Sequence, residues 1–131
     1  FTERGFGIRG ALGVSDRVCF LGRVDEATLI DHYARARAVV FTPLDEDYGF
    51  VTAEAFASGR PVVTCTDGGG PTELVRDGEH GWIVAPEPSA IAAALRRLAD
   101  ETGMAPRLGQ RALADAREMS WAKAVERLLR A

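Results

Sequence analysis

Two short apolar runs with a helical segment between them constrain the fold of this chain more than any other feature. The runs are "AVVFTPL" at 38–44 and "PVVTCT" at 61–66, and both have the composition of strands that are buried on both faces of a sheet. The segment between them, from about Gly49 to Ser58, has the length of a helix and is terminated by "GRP". A strand, a helix and a strand in this order predict two parallel strands joined by a crossover.

The same alternation continues on both sides of this unit. Short β-favouring runs predict strands at 17–24 and 81–86, and helical patterns predict helices at 25–37, 71–76 and 104–118. A further apolar stripe of Ile91, Leu95 and Leu98 predicts a helix after Pro86. Alternating strands and helices with right-handed crossovers predict an α/β fold, a Rossmann-like parallel sheet with flanking helices.

The length and composition are those of one soluble domain. The chain has 131 residues, 47% of them hydrophobic and 27% charged, and its net charge of −3 gives no reason to expect nucleic-acid binding. No apolar run approaches the roughly 20 residues that span a bilayer, and the N-terminus lacks the pattern of a signal peptide. Cys19 and Cys65 lie in apolar runs, which predicts two reduced core residues and a cytoplasmic location.

Two carboxylates, Glu46 and Glu54, flank the start of the helix predicted at 49–58. If the whole span between them were helical, they would be separated by about 12 Å along the axis. The two carboxyls of a glycosidase stand roughly 5–10 Å apart, so this spacing fits hydrolytic acid–base chemistry poorly. We predict no metal site, because His32 and His80 are distant in sequence and no Cys accompanies the glutamates.

The spacing instead suits an extended ligand with a hydroxyl-rich group at each end. Between the carboxylates lie the first amides of the helix, at about Gly49 to Thr52, which we expect to lack intrahelical partners and to attract an anion. A sugar, a diphosphate and a ribose would then meet carboxylate, amides and carboxylate in that order. The alternative, a solvated loop acid and an exposed helix acid, stays open on spacing alone.

Four pieces of the chain occur together in one known family. They are "RVCFLGRV", "EDYGFVTAEAFASGRPVV", "GGGPTEL" and "DGEHGWIVAP". From about Arg17 to Leu98 the chain resembles the C-terminal, donor-binding domain of retaining GT-B glycosyltransferases, the glycosyl transferases group 1 family. The resemblance implies that residues 1–131 are a partial nucleotide-sugar-binding domain with a C-terminal helical segment at about 104–131.

The resemblance implies a role for each matched residue. Glu46 takes the position that contacts the donor sugar near the reaction centre, so we expect it to be the catalytic residue, and Glu54 takes the position that binds the ribose. The other donor-binding residues implied are Gly49, Phe50, Val51, Thr52, Gly69, Gly70 and Glu73. The last three are equally compatible with a turn followed by a helix-start acid. The implied substrate is a nucleotide-diphosphate sugar, with no cofactor and no metal.

The resemblance also implies what this chain lacks. Family members have two domains, and neither the N-terminal acceptor domain nor the upstream Arg-x4-Lys motif has a counterpart here. We therefore expect the chain alone to be inactive, because no such cations stabilise the departing diphosphate. The missing domain is the expected partner, and any peripheral membrane association would go through it. The apolar face of "SWAKAVERLLRA", with Trp121, Val125 and Leu128, predicts a homodimer through the last helix.

Two other functions remain open at this point. The chain could be part of a sugar-nucleotide epimerase of GT-B fold, whose catalytic acids would come from the absent half. It could also be a non-catalytic nucleotide-sugar-binding or interaction module, although both glutamates are intact. A dehydrogenase is disfavoured because neither glycine cluster gives G-x-G-x-x-G.

Overall fold

The structure, a computed structural model, describes residues 10–120. That part of the chain contains a three-stranded parallel sheet in the order β1-β2-β3, flanked by helices. The elements in chain order are α1 Glu26–Arg35, β1 Val39–Val40, α2 Phe50–Ala57, β2 Val62–Cys65, α3 Gly70–Leu74, β3 Gly81–Val84, α4 Pro88–Asp100 and α5 Met104–Glu118. The predicted Rossmann-like α/β fold is confirmed.

The central strand β2 holds the two sides of the core together. It pairs in parallel with β1 on one edge and with β3 on the other. Successive residues of a strand face opposite sides of the sheet. Val62 accordingly packs in one cluster with Phe56 of α2, and Val63 packs in a second cluster with Leu98 of α4. All four residues of β2 are buried, so the run at 61–66 has the burial that its composition predicts.

The helix boundaries follow local signals. Asp25 caps α1, because its carboxylate accepts a hydrogen bond from the backbone N–H of Thr28 at 2.7 Å. The helices α1, α2 and α5 occupy nearly the residues predicted for them, which are 25–37, 49–58 and 104–118.

The strand predicted at 17–24 is wrong. These residues have turn and irregular backbone and lie outside the described three-stranded sheet. Val18 is 39% exposed and Phe20 is 41% exposed. A β-favouring run forms a strand where its side chains pack on neighbouring layers, so composition alone misled us here. Cys19, in the same run, is exposed and not in the core as predicted, whereas Cys65 is buried.

The run at 38–44 is less buried than predicted. Its strand has two residues, and Val40 is 46% exposed. In the described sheet β1 is an edge strand, and an open apolar groove of about 210 Å³ separates it from α1. In α4 the apolar stripe also differs from the prediction, since Ala94 and Leu98 are buried while Leu95 is 37% exposed.

Some predictions fall outside the described residues. The last helix, with Trp121, Val125 and Leu128, lies beyond residue 120. The homodimer through that helix and the separate C-terminal segment at 104–131 therefore stay predictions. Within residues 10–120, no helix is long and apolar enough to cross a membrane.

Candidate functional site

The loops that follow β1 and β2 interlock at the carboxyl edge of the sheet. The backbone N–H of Asp45 donates to the carbonyl of Asp67 at 2.9 Å, and that of Glu46 donates to Gly68 at 3.2 Å. In return, the N–H of Gly70 donates to the carbonyl of Glu46 at 2.6 Å. These bonds continue the parallel pairing beyond the strands. The carboxyl edge of the sheet, where open α/β sheets bind ligands, is therefore built from these two loops.

Two glycines make this close approach of the loops possible. Gly69 has φ of 68°, and a Cβ on it would lie 2.6 Å from the carbonyl oxygen of Glu46. A Cβ on Gly70 would lie 2.7 Å from the carbonyl oxygen of Asp47. Both distances are well below van der Waals contact, so any other residue would push the loops apart. Loop packing is thus a sufficient reason for both glycines, and it fixes the backbone around Glu46.

Glu46 is held by its backbone, while its side chain remains available. Its N–H and carbonyl are both bonded to the loop after β2, and the residue is half-buried. Asp45, just before it, has φ of 50°, an uncommon left-handed conformation for a residue with a side chain. The Glu46 carboxylate makes no hydrogen bond or ion pair with any residue from 10 to 120. An acidic group at this edge is therefore free to accept hydrogen bonds from a ligand.

Gly49 is the N-cap residue of α2 and directly follows the loop that carries Glu46. It is buried with φ of 65°, and a Cβ on it would lie 3.0 Å from the ring of Pro71. No side chain caps this end of the helix. The amides of Gly49, Phe50 and Val51 have no hydrogen-bond acceptor among residues 10–120. Three adjacent unpaired donors at the positive end of a helix are suited to holding an anion.

The amide of Thr52 differs from the prediction. It donates to the carbonyl of Gly49 at 2.8 Å, because the first turn of α2 closes onto the residue before it. The Thr52 side chain is fully buried. The series of available amides therefore ends at Val51.

Glu54 lies farther along α2 and is fixed by a residue of another helix. Its carboxylate is exposed, and the Oε2 atom accepts a hydrogen bond from the hydroxyl of Tyr33 in α1 at 2.8 Å. Burial, together with the hydrogen bond and charge of Glu54, raises the pKa of Tyr33 to about 12. The phenol therefore keeps its proton throughout the physiological range, and the bond to Glu54 persists.

Sequence reasoning missed the role of Tyr33. In the sequence, Tyr33 shares only helical spacing with Leu29 and Ala36, which predicts an apolar stripe, and the ring does pack against the cluster around Phe56. The partner of its hydroxyl is 21 residues away in sequence, and no local pattern reports a bond of that range. A tyrosine on an otherwise apolar stripe was the one available signal, since a partly buried hydroxyl usually has a partner.

The remaining predicted site residues lie around this arrangement. Glu73 is exposed in the first turn of α3 and bonds to neither Glu46 nor Glu54 in the described part of the chain. The exposed ring of Phe50 stacks on that of Tyr48, with centroids 5.6 Å apart. The structure therefore gives Glu73 the position of a helix-start acid, and it gives Phe50 an aromatic neighbour in solvent.

From residue 10 to residue 120 the structure has no group of three His, Cys, Asp or Glu side chains that could hold a metal ion. What the site does present is a carboxylate, three free amides and a second carboxylate. Glu54 lies about 7.5 Å along the helix axis from Gly49, at 1.5 Å per residue. The site can therefore accept hydrogen bonds at both ends of a ligand that carries negative charge in its middle.

Comparison with known proteins identifies a family with such ligands. The family model described as glycosyl transferases group 1 matches residues 6–101. The D-inositol 3-phosphate glycosyltransferase of Streptomyces griseus is 40% identical over 111 residues, which are 84% of this chain and 23% of that protein. The chain thus spans about a quarter of the length of this curated relative.

Solved structures agree with the family match. Sucrose-phosphate synthase from Thermosynechococcus elongatus has a TM-score of 0.85 and 30% identity, over 97% of this chain and 33% of that one. HepE from Anabaena in complex with UDP has a TM-score of 0.80 and 30% identity, over 90% of this chain and 32% of that one. The same protein with UDP-glucose has a TM-score of 0.73, over 90% of this chain and 34% of that one. The chain belongs to the glycosyl transferases group 1 family, and its α/β architecture is that of GT-B glycosyltransferases.

Proposed function

We propose that this chain is the donor-binding part of a glycosyltransferase that moves a sugar from a nucleotide sugar to an acceptor with retention of configuration. The observation that carries the proposal is the order of groups at the start of α2. Glu46 comes first, the free amides of Gly49 to Val51 follow, and Glu54 lies three residues beyond Val51. A sugar, a diphosphate and a ribose offer the complementary groups in the same order.

Each part of the site takes one part of the donor. The amides of Gly49, Phe50 and Val51 hold the diphosphate, where the helix dipole favours negative charge. Glu54 accepts hydrogen bonds from the ribose hydroxyls, and such charge-assisted bonds are about twice as strong as neutral ones. Glu46 contacts the transferred sugar near the bond that breaks and acts as the catalytic residue. The donor binds without a metal or cofactor.

The ligand class is supported by the relatives. HepE has been solved with UDP and with UDP-glucose, and its identity to this chain is 30%. The Streptomyces griseus relative is named as a glycosyltransferase. Both facts favour a nucleotide sugar over other ligands that carry hydroxyls and an anion. The name of the Streptomyces griseus relative also favours a transferase over the epimerase and the non-catalytic module.

We propose further that the activity needs a second, acceptor-binding domain and that this chain alone is inactive. The matched part is 23% of the Streptomyces griseus relative and 33% of sucrose-phosphate synthase. Most of the length of each relative is therefore not matched by this chain. Departure of a nucleoside diphosphate requires cations to stabilise the developing charge, and we assign these to the upstream Arg-x4-Lys motif of the family, which has no counterpart in this chain. Any peripheral membrane contact belongs to the acceptor-binding domain. A cytoplasmic location is consistent with two free cysteines.

Calorimetric titration of the chain with UDP, GDP and ADP tests the proposal. We expect one of them to bind, and Glu54→Ala to weaken that binding by about tenfold or more, because a hydrogen bond to a charged group contributes about 1.5–3 kcal/mol. Glu101→Ala is the matched control, since Glu101 is exposed and pairs with Arg97 at the far end of α4. Failure of all three to bind, or equal losses in the two variants, would contradict the proposal.

A further inference from the structure

We propose that Tyr33 is a positioning residue, which holds the carboxylate of Glu54 in the orientation that receives the two ribose hydroxyls of the donor. The inference rests on the proposed function and assigns a new part to a residue of α1. Tyr33 itself does not touch the nucleotide. It acts through the 2.8 Å hydrogen bond from its hydroxyl to the Oε2 atom of Glu54.

The hydroxyl of Tyr33 stands at a fixed point because both its ring and its helix are anchored. The ring packs against the cluster that contains Phe56 of α2. The C-terminal end of α1 is tied to the segment after α2, since the guanidinium of Arg60 donates to the carbonyl of Ala34 at 2.6 Å. These two contacts connect α1 to α2, the helix that carries Glu54.

An exposed glutamate needs such a support to bind a diol well. A free Glu side chain samples several rotamers, and a ligand that requires one of them must offset the lost entropy. The bond from Tyr33 selects a rotamer before the ligand arrives, which reduces the cost of binding. Preorganisation of this kind changes affinity for the group that Glu54 contacts and for nothing else.

The carboxylate has enough acceptor sites for both partners. Its two oxygens carry about four lone-pair positions. Tyr33 occupies one of them on Oε2, which leaves Oε1 and the rest of Oε2 for the ribose hydroxyls. The phenol keeps its proton at neutral pH, so it remains a donor to Glu54. The tyrosine and the ribose therefore bind the carboxylate together.

The test compares a ribonucleotide with an analogue that lacks both hydroxyls. The probes are the nucleoside diphosphate that binds best in the titrations above and its 2′,3′-dideoxy form. We expect Tyr33→Phe to reduce the preference for the ribonucleotide by about threefold to tenfold, the scale of ordering one Glu side chain. The affinity for the dideoxy analogue should not change. Phenylalanine keeps the ring in the core, and thermal unfolding of the variant verifies the fold.

A double-mutant cycle with Glu54→Ala supplies the second measurement. If Tyr33 acts through Glu54, Tyr33→Phe has no further effect on the preference once Glu54 is alanine. An unchanged preference in Tyr33→Phe, or equal losses for both nucleotides, would overturn the inference and leave the proposed function intact. If the unaltered chain binds no nucleoside diphosphate, the proposed function fails and the inference fails with it.

Discussion

Replacement of Gly69 by alanine tests the interlock of the two loops. Gly69 has φ of 68°, and an added Cβ would lie 2.6 Å from the carbonyl oxygen of Glu46 and 2.7 Å from its nitrogen. Its ψ is −130°, so Gly69 lies in a region of positive φ that essentially only glycine occupies and that costs another residue about 1–3 kcal/mol. The clash with rigid backbone adds about 1–3 kcal/mol, as overpacking does in protein cores. We therefore expect Gly69→Ala to lower the free energy of unfolding by about 2–6 kcal/mol.

A second glycine separates the two contributions. Gly78 has φ of 76°, close to that of Gly69, but nothing lies within 4 Å of a Cβ built on it. Gly78→Ala should therefore cost only the conformational part, about 1–2 kcal/mol. Urea denaturation of both variants, analysed with a common m-value, gives the difference between them. Equal losses in the two variants would refute the interlock, because the loop that carries Glu46 would then not be held against Gly69.

Four further predictions follow from other parts of the chain. Cys19 is exposed and should react quickly with a thiol reagent such as DTNB. Cys65 is 2% exposed, and burial raises its pKa, so it should react only after unfolding. Equal reaction rates of the two thiols would contradict this prediction. Asp115→Ala should cost about 1–3 kcal/mol in a thermal or urea unfolding experiment, because it removes the carboxylate 3.2 Å from the buried His80. Asp31→Ala, at an exposed i,i+4 pair, should cost less than about 0.5 kcal/mol in the same experiment. The apolar face of the last helix should produce a homodimer, which sedimentation equilibrium would detect and which a monomer at all concentrations would exclude.

The sequence predicts elements well where a local pattern and tertiary burial agree. The run that became β2 is apolar, is bounded by Pro61 and a glycine triplet, and is buried on both faces. The run at 17–24 has a similar composition but is exposed, and nothing in its own residues reports that difference. Burial depends on which layers cover a segment, so it is the least predictable property of a short strand.

The site shows the same division between local and distant information. The order of Glu46, the helix start and Glu54 can be read from spacing, because all three belong to one loop and one helix. The closing of the Thr52 amide onto Gly49 depends on the exact geometry of the first turn, and the support from Tyr33 depends on packing between α1 and α2. Neither of these two features has a counterpart in local sequence.

Amide chemical shifts give the most direct test of whether one nucleotide spans the start of α2 and Glu54. The ¹⁵N-labelled chain would be titrated with pyrophosphate and then with the nucleoside diphosphate that binds best. We expect pyrophosphate to shift the amides of Gly49, Phe50 and Val51, and the nucleotide to shift these together with residues around Glu54. Shifts confined to other parts of the chain, or none at saturating nucleotide, would contradict the proposed arrangement.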